Sequence, residues 1–456
     1  GNDPVQIREA LIKANEESQR PTLIIGHTVM GKGARKADGS SYEKCCQTHG
    51  APLGGDNYIQ TLKNLSADVD NPFQVRPAVE KMYAERLEEL RKEVRSLRAE
   101  EQAWAAENPT KAQLQADWFA NRLPQLPWGE IEHKANSATR NGSKIILAML
   151  SKHVPNMIVS SADLCNSDKT DGFLAYTTEI SRTNFAGGFF QAGVSELSMA
   201  CICIGMMLHG GIITAMGTFF VFSDYMKPAI RMAALMEIPV KFIWSHDAFR
   251  VGEDGPTHEP VEQEAQIRLM EKLKNHHGKD SVRVLRPCDN QENTQCWKMA
   301  MENTDTPTAL IFSRQDVRDL PAGTDYTQAQ KGAFEVIKEA HPDVILVANG
   351  SEVGTLCDTQ QLLQKEGIKA RVVSCPSEGL FRRQSKEYQD TLLPKNVKTF
   401  ALTAGLPVTM EGLVGLQGRI HGLSSFGFSA PYKVLDEKLG FTPEHIYKEI
   451  VDFVKN

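Results

Sequence analysis

The fold is most clearly indicated by residues 196–225, which read ELSMACICIGMMLHGGIITAMGTFFVFSDY. No Asp, Glu, Lys or Arg occurs over residues 197–223. A membrane span needs about 20 mainly apolar residues, but His209, Gly210 and Gly211 interrupt this run. The pattern therefore predicts a buried helix, a Gly-Gly turn and a buried strand, which are parts of an α/β fold.

Outward from this stretch, helices alternate with short apolar strands over residues 136–322. The predicted strands are 157–159, 212–215, 240–244, 282–284 and 308–312. Alternation of this kind predicts a parallel sheet. Residues 323–456 form a second, smaller α/β domain in this interpretation, with strands at 343–348 and 370–374.

The N-terminal part is predicted to be incomplete as a domain. Residues 5–18 are typical of a helix, residues 21–27 of a strand, and residues 31–39 of a Gly/Lys-rich loop. One helix and one buried strand cannot form a sheet alone. We therefore expect residues 1–60 to be the C-terminal remnant of a domain whose upstream part is absent.

Residues 61–135 are predicted to be a helical linker that contains one long charged helix over residues 77–107. A proline at its start suits the first helical turn. One apolar stripe runs along this helix, formed by Tyr83, Leu87, Leu90, Val94 and Leu97. Either the stripe packs on a neighbouring domain, or it pairs as a coiled coil.

Composition excludes some classes of protein. Hydrophobic residues make up 41% and charged residues 24%, with a net charge of -6, which is typical of a soluble globular chain. Nucleic acid and membrane are therefore not expected as partners. The nine cysteines lack the C-x2-C spacing of zinc sites. Scattered cysteines of this kind predict reduced thiols and a cytoplasmic location. A zinc site at Cys45, Cys46 and His49 is a poor alternative, because adjacent cysteines chelate one zinc ion badly.

The densest polar signal follows the predicted strand 240–244. It contains Ser245-His-Asp247 and then Gly252-Glu-Asp-Gly-Pro-Thr-His258. Ligands of open parallel sheets bind beyond the carboxyl ends of the strands. The histidines and carboxylates suit hydrogen bonding to a polyol and proton transfer, although a polar surface loop before a helix would look the same.

Glu196 opens the apolar stretch, and burying a charge without a partner is costly. It is either a capping or ion-paired glutamate, or a carboxyl group that shares a proton with a ligand nitrogen. Phe219, Phe222 and Tyr225 recur every three residues. They share one face if the segment is helical, either as core or as a stacking wall for a heteroaromatic ring.

Single basic residues complete the set of candidates. They are Arg140, Arg286 and Arg314, of which Arg314 stands just after the predicted strand 308–312, at its carboxyl end. Arginine there suits phosphate binding, although surface ion pairs would explain each one equally well. His49 lies in a loop kinked by Gly50, Pro52 and Gly54, where histidine is often only a turn residue.

Taken together, the motifs resemble those of the transketolase family. The matching segments come in the family's order across nearly the whole chain: His49-Gly-Ala-Pro-Leu-Gly54, Ser161-Ala-Asp-Leu164, Arg231-Met-Ala-Ala-Leu235, His246-Asp247, Gly252-Glu-Asp-Gly-Pro-Thr-His258, Arg286-Pro-Cys-Asp289 and Ser313-Arg-Gln315. This resemblance implies transfer of a two-carbon ketol unit from a ketose phosphate to an aldose phosphate. It implies thiamine diphosphate and Mg2+, or another divalent cation, as cofactors.

The resemblance also implies roles for individual residues. Glu196 would hydrogen-bond N1′ of the aminopyrimidine ring, and the catalytic set would be Glu196, His246 and His258. The remaining residues that would bind the cofactor are His49, Asp163, Leu164, Phe219, Phe222 and Tyr225. The residues that would bind the sugar phosphate are His49, Arg140, Ser167, His246, Asp254, His258 and Arg314.

In this family the active site lies between subunits, which implies a homodimer. The family's Gly-Asp-Gly…Asn motif for diphosphate and cation is absent, since the sequence contains no Gly-Asp-Gly. We therefore expect the cation site upstream of this chain, and the chain alone to be incomplete for catalysis. The alternatives are a non-catalytic dimerisation or binding fragment, or a sibling such as dihydroxyacetone synthase or deoxyxylulose-phosphate synthase.

Overall fold

The computed structural model describes residues 1–456. The chain separates into two compact units, Gly1–Asn108 and Pro109–Asn456. The first unit is helical, and the second contains two β-sheets. No helix in the chain combines the length and the apolar character that a membrane crossing requires.

The first unit contains four helices, namely α1 (Pro4–Glu16), α2 (Gln47–Gly50), α3 (Gly55–Asn64) and α4 (Pro77–Glu107). Helix α1 begins where predicted, because the Asp3 carboxylate accepts hydrogen bonds from the first free backbone N–H groups. The predicted strand over residues 21–27 is wrong. Leu23 and Ile25 are 83% and 73% exposed, and no strand in this unit offers the backbone partners that a buried strand needs.

Helix α4 has the predicted bounds, with Pro77 as its first residue. All five side chains of its apolar stripe are exposed, from 41% at Leu90 to 67% at Tyr83. The expectation that this stripe packs on a neighbouring domain is therefore not confirmed.

The first sheet of the second unit has six parallel strands in the order β2-β1-β3-β4-β6-β5. They are β1 (Met157–Ser161), β2 (Phe189–Gln191), β3 (Ile213–Phe219), β4 (Lys241–Ser245), β5 (Arg283–Leu285) and β6 (Thr308–Phe312). The helices of this part are α5 (Pro109–Phe119), α6 (Thr139–His153), α7 (Cys165–Asp168), α8 (Glu196–His209), α9 (Ser223–Leu235), α10 (Gln263–Lys272) and α11 (Asn290–Glu302).

Both faces of this sheet are buried, which explains the unbroken apolar runs of its strands. Met216 and Phe242 pack into one apolar cluster, with side chains of α8, α9 and α10. Their neighbours Ala215 and Ile243 point the other way, into a cluster with side chains of α6 and α11. The prediction of a parallel sheet is confirmed, and helices cover both of its faces.

The second sheet has five strands in the order β11-β10-β8-β9-β7, of which only β7 is antiparallel to its neighbour. Its strands are β7 (Phe334–Ile337), β8 (Val344–Ala348), β9 (Ala370–Ser374), β10 (Lys398–Leu402) and β11 (Arg419–His421). The helices are α12 (Glu352–Lys365), α13 (Glu378–Arg382), α14 (Lys386–Leu392), α15 (Glu411–Val414), α16 (Tyr432–Lys438) and α17 (Pro443–Lys455).

Arg286 connects the two sheets through buried ion pairs. Its guanidinium donates to Asp247 beyond β4, at 2.6 Å and 3.1 Å. It also donates to Asn349 and Glu352, at the carboxyl end of β8 and the start of α12, at 2.6 Å each. The interpretation of Arg286 as a phosphate ligand is therefore wrong, because its donors are already taken up inside the protein.

Candidate active site

The predicted site residues of the second unit gather at one edge of the six-stranded sheet. Ser161 pairs with Gly217, Phe219 with Ser245, and Ser245 with Phe312. Strands β1, β3, β4 and β6 are parallel neighbours, so their carboxyl ends meet here. Residues that follow these strands in sequence therefore lie close together.

Glu196 is the first residue of α8 and is 8% exposed. Its Oε1 accepts one long hydrogen bond, 3.5 Å, from the hydroxyl of Thr218 near the end of β3. Its Oε2 accepts none from the chain, and Glu196 forms no ion pair. The free oxygen of this nearly buried carboxyl group is therefore available to accept a hydrogen bond from a ligand. The interpretations of Glu196 as an ion-paired or side-chain-capping residue are not supported.

An aromatic wall runs from β3 into α9. The rings of Phe219 and Phe222 stack with centroids 6.0 Å apart and planes 8° apart. The rings of Phe222 and Tyr225 follow at 6.1 Å and 30°. The segment is not one helix, because Phe219 ends β3 and Phe222 ends a short 3-10 turn. The three rings still form one series, and Tyr225 at its outer end is 62% exposed.

His246 directly follows β4 and is 2% exposed. Its backbone is left-handed, with φ 63°. Burial, and then the positive charges of Arg140 and Arg314, lower the pKa of His246 to about 2. The ring is therefore neutral near pH 7. Its Nδ1 lies 2.8 Å from the Ser245 hydroxyl and its Nε2 lies 3.5 Å from Arg140.

The arginine contact identifies the tautomer of this ring, because a guanidinium can only donate. The Nε2 of His246 therefore accepts, and Nδ1 carries the hydrogen that it donates to Ser245. A histidine in this state presents a hydrogen-bond acceptor and holds an added proton poorly. It is better suited to binding a hydroxyl group than to carrying a proton.

His258 joins the same cluster, but Asp254 does not. The His258 ring meets Phe219 and Phe222 edge-on, with centroid distances of 6.3 Å and 5.5 Å. Its Nδ1 lies 2.8 Å from the Thr257 hydroxyl. Asp254 is exposed and makes no hydrogen bond through its side chain.

Two arginines and Ser167 lie in segments next to this edge, with Ser167 after β1 and Arg314 after β6. Arg140, in the first turn of α6, donates to the backbone carbonyl of Ser167 at 2.8 Å, while its buried Nε has no partner. Burial, and then the charge of Arg314, lower the pKa of Arg140. The carboxylates of Asp316 and Asp168 lie near enough to act on Arg140, but neither Arg140 nor Arg314 forms an ion pair. Two neighbouring guanidinium groups with free donors can bind an anion.

Asp163 and Leu164 follow β1. Asp163 is exposed with φ 63°, and the backbone N–H of Leu164 donates to the Ser161 hydroxyl at 3.2 Å. The adjacent Asp168 is fully buried and accepts from Ser161 at 2.8 Å and from the Thr170 hydroxyl at 2.7 Å. Burial raises the pKa of Asp168 to about 6.

The sequence analysis missed Thr218 and Asp168. Thr218 touches Glu196, and Asp168 supports the loop that carries Ser167. Thr218 lies inside the apolar run, where a threonine looks like ordinary strand sequence. Asp168 follows Ser167 directly, so the only signal was its position beside a candidate.

His49 is an exposed residue of α2 in the first unit. The backbone N–H of His49 donates to the carbonyl of Cys46. His49 therefore lies in a short helical turn, as the neighbouring glycines predict. The four-residue helix ends at Gly50.

Candidate metal ligands are found elsewhere in the second unit. His421, His445 and Glu449 bring their ligand atoms within 4.8 Å of one another. No comparable group of His, Cys, Asp or Glu side chains lies at the edge that carries Glu196, and all nine cysteines are free thiols. The residues at that edge thus fit an organic ring and an anion better than a metal ion.

Comparison with known proteins matches three families in order along the chain. The family described as "Transketolase, thiamine diphosphate binding domain" matches residues 1–124. "Transketolase, pyrimidine binding domain" matches residues 135–319, and "Transketolase-like TK C-terminal domain" matches residues 332–442. The expectation that most of the diphosphate-binding domain is absent is therefore not borne out, and it no longer supports placing the cation site upstream.

Individual relatives agree with these matches. Transketolase of Bacillus subtilis (strain 168) is 35% identical over 99% of this chain and 66% of its own length. Transketolase of Halalkalibacterium halodurans is 36% identical over 100% of this chain and 67% of its own length. A solved transketolase from Pichia stipitis, in complex with sedoheptulose-7-phosphate, has a TM-score of 0.89 and 29% identity, covering 100% of this chain and 66% of that chain.

The chain thus spans about two thirds of the length of the curated relatives it matches. The α/β fold, the edge that gathers Glu196 with the aromatic wall, and the identity to these relatives all lead to one conclusion: the chain belongs to the transketolase family.

Proposed function

We propose that the protein is a transketolase, which transfers a two-carbon ketol unit from a ketose phosphate to an aldose phosphate. The observation that carries this proposal is Glu196. It is a nearly buried carboxyl group with one weak hydrogen bond and a free Oε2, beside a strand that ends in an aromatic wall. That combination suits the polar edge of a heteroaromatic cofactor.

The residues at this edge fit the aminopyrimidine part of thiamine diphosphate. Glu196 would hold its ring nitrogen through Oε2, and Phe222 would stack on the ring between Phe219 and Tyr225. When bound, the cofactor supplies the electron sink for breaking a carbon–carbon bond next to a carbonyl group. Asp163, Leu164 and His49 are proposed to contact the cofactor as well, and a divalent cation such as Mg2+ to neutralise its diphosphate.

Recognition of a sugar phosphate is divided between two sets of residues. His246, His258 and Asp254 are proposed to bind hydroxyl groups, with His246 accepting through Nε2. His258 is the better candidate for moving a proton, because its ring is only half-buried. Arg140, Arg314 and Ser167 are proposed to bind the phosphate, together with His49, since neither guanidinium group is taken up in an ion pair.

A homodimer is the proposed assembly, in the cytoplasm. Helix α8, which begins with Glu196, exposes an apolar face: Leu197, Ile202 and Leu208 are 44%, 42% and 55% exposed. Solvent-exposed apolar faces of this kind are typical of subunit interfaces. The proposed domain boundaries remain 1–60, 61–135, 136–322 and 323–456.

The test compares Glu196→Gln with a matched control, Glu411→Gln. Glu411 also begins a helix, α15, but it is exposed. With thiamine diphosphate, Mg2+, a ketose phosphate and an aldose phosphate, we expect Glu196→Gln to lower kcat by about 100-fold or more. Glu411→Gln should retain it. Equal turnover of the two variants would reject the proposed role of Glu196.

A second candidate is a non-catalytic dimerisation or binding module. One observation favours it, the absence of Gly-Asp-Gly from the sequence. Turnover by the purified 456-residue chain would exclude it. Dimerisation without cofactor binding, measured by sedimentation and calorimetry, would favour it. Preference for formaldehyde or pyruvate in a substrate panel would instead favour a sibling enzyme.

A further inference from the structure

Three potential metal ligands meet at the outer edge of the second sheet, in a part of the chain that the proposed transfer reaction does not use. His421 is the last residue of β11, the edge strand. His445 and Glu449 lie four residues apart on α17 and so face the same way. A strand and a helix thus present two imidazoles and one carboxylate to a single point.

The distances match those around a tetrahedral ion. Glu449 Oε1 lies 3.1 Å from Nδ1 of His421 and 3.1 Å from Nε2 of His445. Two ligand atoms each about 2.0–2.1 Å from a zinc ion, at the tetrahedral angle, lie about 3.3 Å apart. The third distance joins the ring nitrogens of His421 and His445 and is at most 4.8 Å. It can shorten if the half-exposed ring of His445 rotates.

His421 can be held in the tautomer that metal binding requires. Its Nε2 lies 3.2 Å from the backbone carbonyl of Leu439. A carbonyl only accepts, so this bond leaves the hydrogen on Nε2 and frees the lone pair of Nδ1 toward Glu449. Metal-binding histidines usually donate their second N–H to a carbonyl or carboxylate in this way. The edge-on contact with Phe441, at 4.7 Å and 77°, also fixes the ring.

The carboxylate of Glu449 has no lysine or arginine partner. Its ion-pair contacts are the two histidines. The neighbouring Arg419 pairs instead with Asp452 at 2.9 Å and donates to the backbone carbonyl of Glu449. A cation at the centre of the three side chains would therefore neutralise the charge of the Glu449 carboxylate.

The turn before α17 leaves room for this arrangement. Gly440 has φ 81°, and a Cβ there would lie 2.9 Å from Nε2 of His445 and 3.2 Å from Cε1 of His421. Any other residue would push against both imidazoles and would also be strained by the left-handed backbone.

We propose that His421, His445 and Glu449 bind one zinc ion, with water as the fourth ligand. Two imidazoles and one carboxylate suit zinc and its first-row neighbours, whereas Mg2+ and Ca2+ prefer oxygen ligands. The ion would fasten the C-terminal helix to the edge strand, and it would raise the stability of the second sheet.

The test measures zinc binding to the whole 456-residue chain after chelator treatment, by competition with a chromophoric chelator. We expect the double variant His445→Ala/Glu449→Gln to bind about 100-fold or more weakly than the unaltered chain at one site. His341→Ala, an exposed histidine of the same domain, is the control and should bind as the unaltered chain does. Zinc should raise Tm in the unaltered chain and the control, but not in the double variant.

Substitution with Co2+ separates this site from the free thiols. Ligation by nitrogen and oxygen gives visible bands without the intense near-ultraviolet absorption of a cobalt–thiolate bond. A thiolate band that persists in the double variant, or unchanged zinc affinity of that variant, would overturn the proposal. Gly440→Ala, which leaves all three ligands in place, should also weaken binding, and retained affinity in that variant would count against the proposed geometry.

Discussion

The imidazole ring of His246 stacks on the phenyl ring of Phe219, with ring centroids 3.6 Å apart and planes inclined by 25°. Phe219 is the last residue of β3, and His246 directly follows the neighbouring parallel strand β4. The stack therefore ties the aromatic wall to the histidine. It buries one face of the imidazole, which contributes to the lowered pKa of His246.

The pH dependence of activity should not report His246. Its pKa is lowered to about 2 by burial and by the two arginines, so its protonation does not change between pH 5 and 9. We expect kcat/KM of His246→Asn to fall about 10–100-fold, the loss of a hydrogen bond, while the profile keeps its shape. The measurement is kcat/KM against pH for both proteins.

His258→Asn provides the contrast for this experiment. If His258 moves a proton, its replacement should remove an inflection from the profile. An inflection near pH 6–7 that disappears in His246→Asn instead would show that His246 titrates, contrary to its burial.

Arg314→Leu should raise KM for phosphorylated substrates by about 10–100-fold, because a charge-assisted hydrogen bond to a buried anion is lost. Its kcat should change little. Arg318→Leu is the matched control, since Arg318 is four residues further on and pairs with Asp358 at the surface. KM for a non-phosphorylated donor should not change in either variant.

A loss of kcat at unchanged KM would contradict phosphate binding by Arg314. An equal effect on phosphorylated and unphosphorylated donors would do the same, because it would indicate a structural role.

Gly217→Ala should lower the free energy of unfolding by about 1–3 kcal/mol through overpacking. A Cβ at Gly217 would lie 2.4 Å from Cγ2 of Thr170 and 2.8 Å from Oδ2 of Asp168. Gly205→Ala in α8 is the control, because a Cβ there meets nothing within 4 Å. It should stabilise by about 0.5–1 kcal/mol. Chemical denaturation measures the free energy of unfolding of both variants. An unchanged value for Gly217→Ala would mean that the loop at Asp168 moves to make room for the added Cβ.

Arg286→Met should lower the free energy of unfolding by about 3–5 kcal/mol, because it leaves a buried carboxylate without a partner. The carboxylate of Asp247 loses its ion pair, and Glu352 keeps only its ion pair with Arg250. Arg318→Met, which breaks only an exposed ion pair, should cost less than about 1 kcal/mol. Denaturant titration measures both, and similar values for the two variants would show that the buried pairs do not matter.

Much of the fold could be predicted because apolar runs identify strands that are buried on both faces. All seven predicted strands of the second unit coincide with observed ones. Four strands were missed, and none has a long apolar run. Strands β2 and β11 have three residues each, β7 has four residues that include Glu335, and β10 begins with Lys398. The strand predicted at 21–27 is wrong for the opposite reason, because this apolar run has no neighbouring strand with which to pair.

Local sequence predicted which strand ends carry polar residues, and parallel pairing then brought Arg140, Glu196, His246 and Arg314 to one edge. It could not predict protonation. The neutral state of His246 depends first on its burial and then on Arg140, which is 106 residues away in sequence. Nor could it distinguish Arg286 from Arg314, because both follow an apolar strand and only the packing of the second sheet buries Arg286.

The left-handed backbone at His246 limits which amino acids can replace it. Asparagine, aspartate and histidine tolerate this conformation better than other side chains, glycine adopts it freely, and β-branched residues almost never do. A saturation library at this position, selected for folding alone, should therefore be rich in Gly and Asn and poor in Val, Ile and Thr. The evolutionary choice at this point of the chain is narrow even before any substrate is considered.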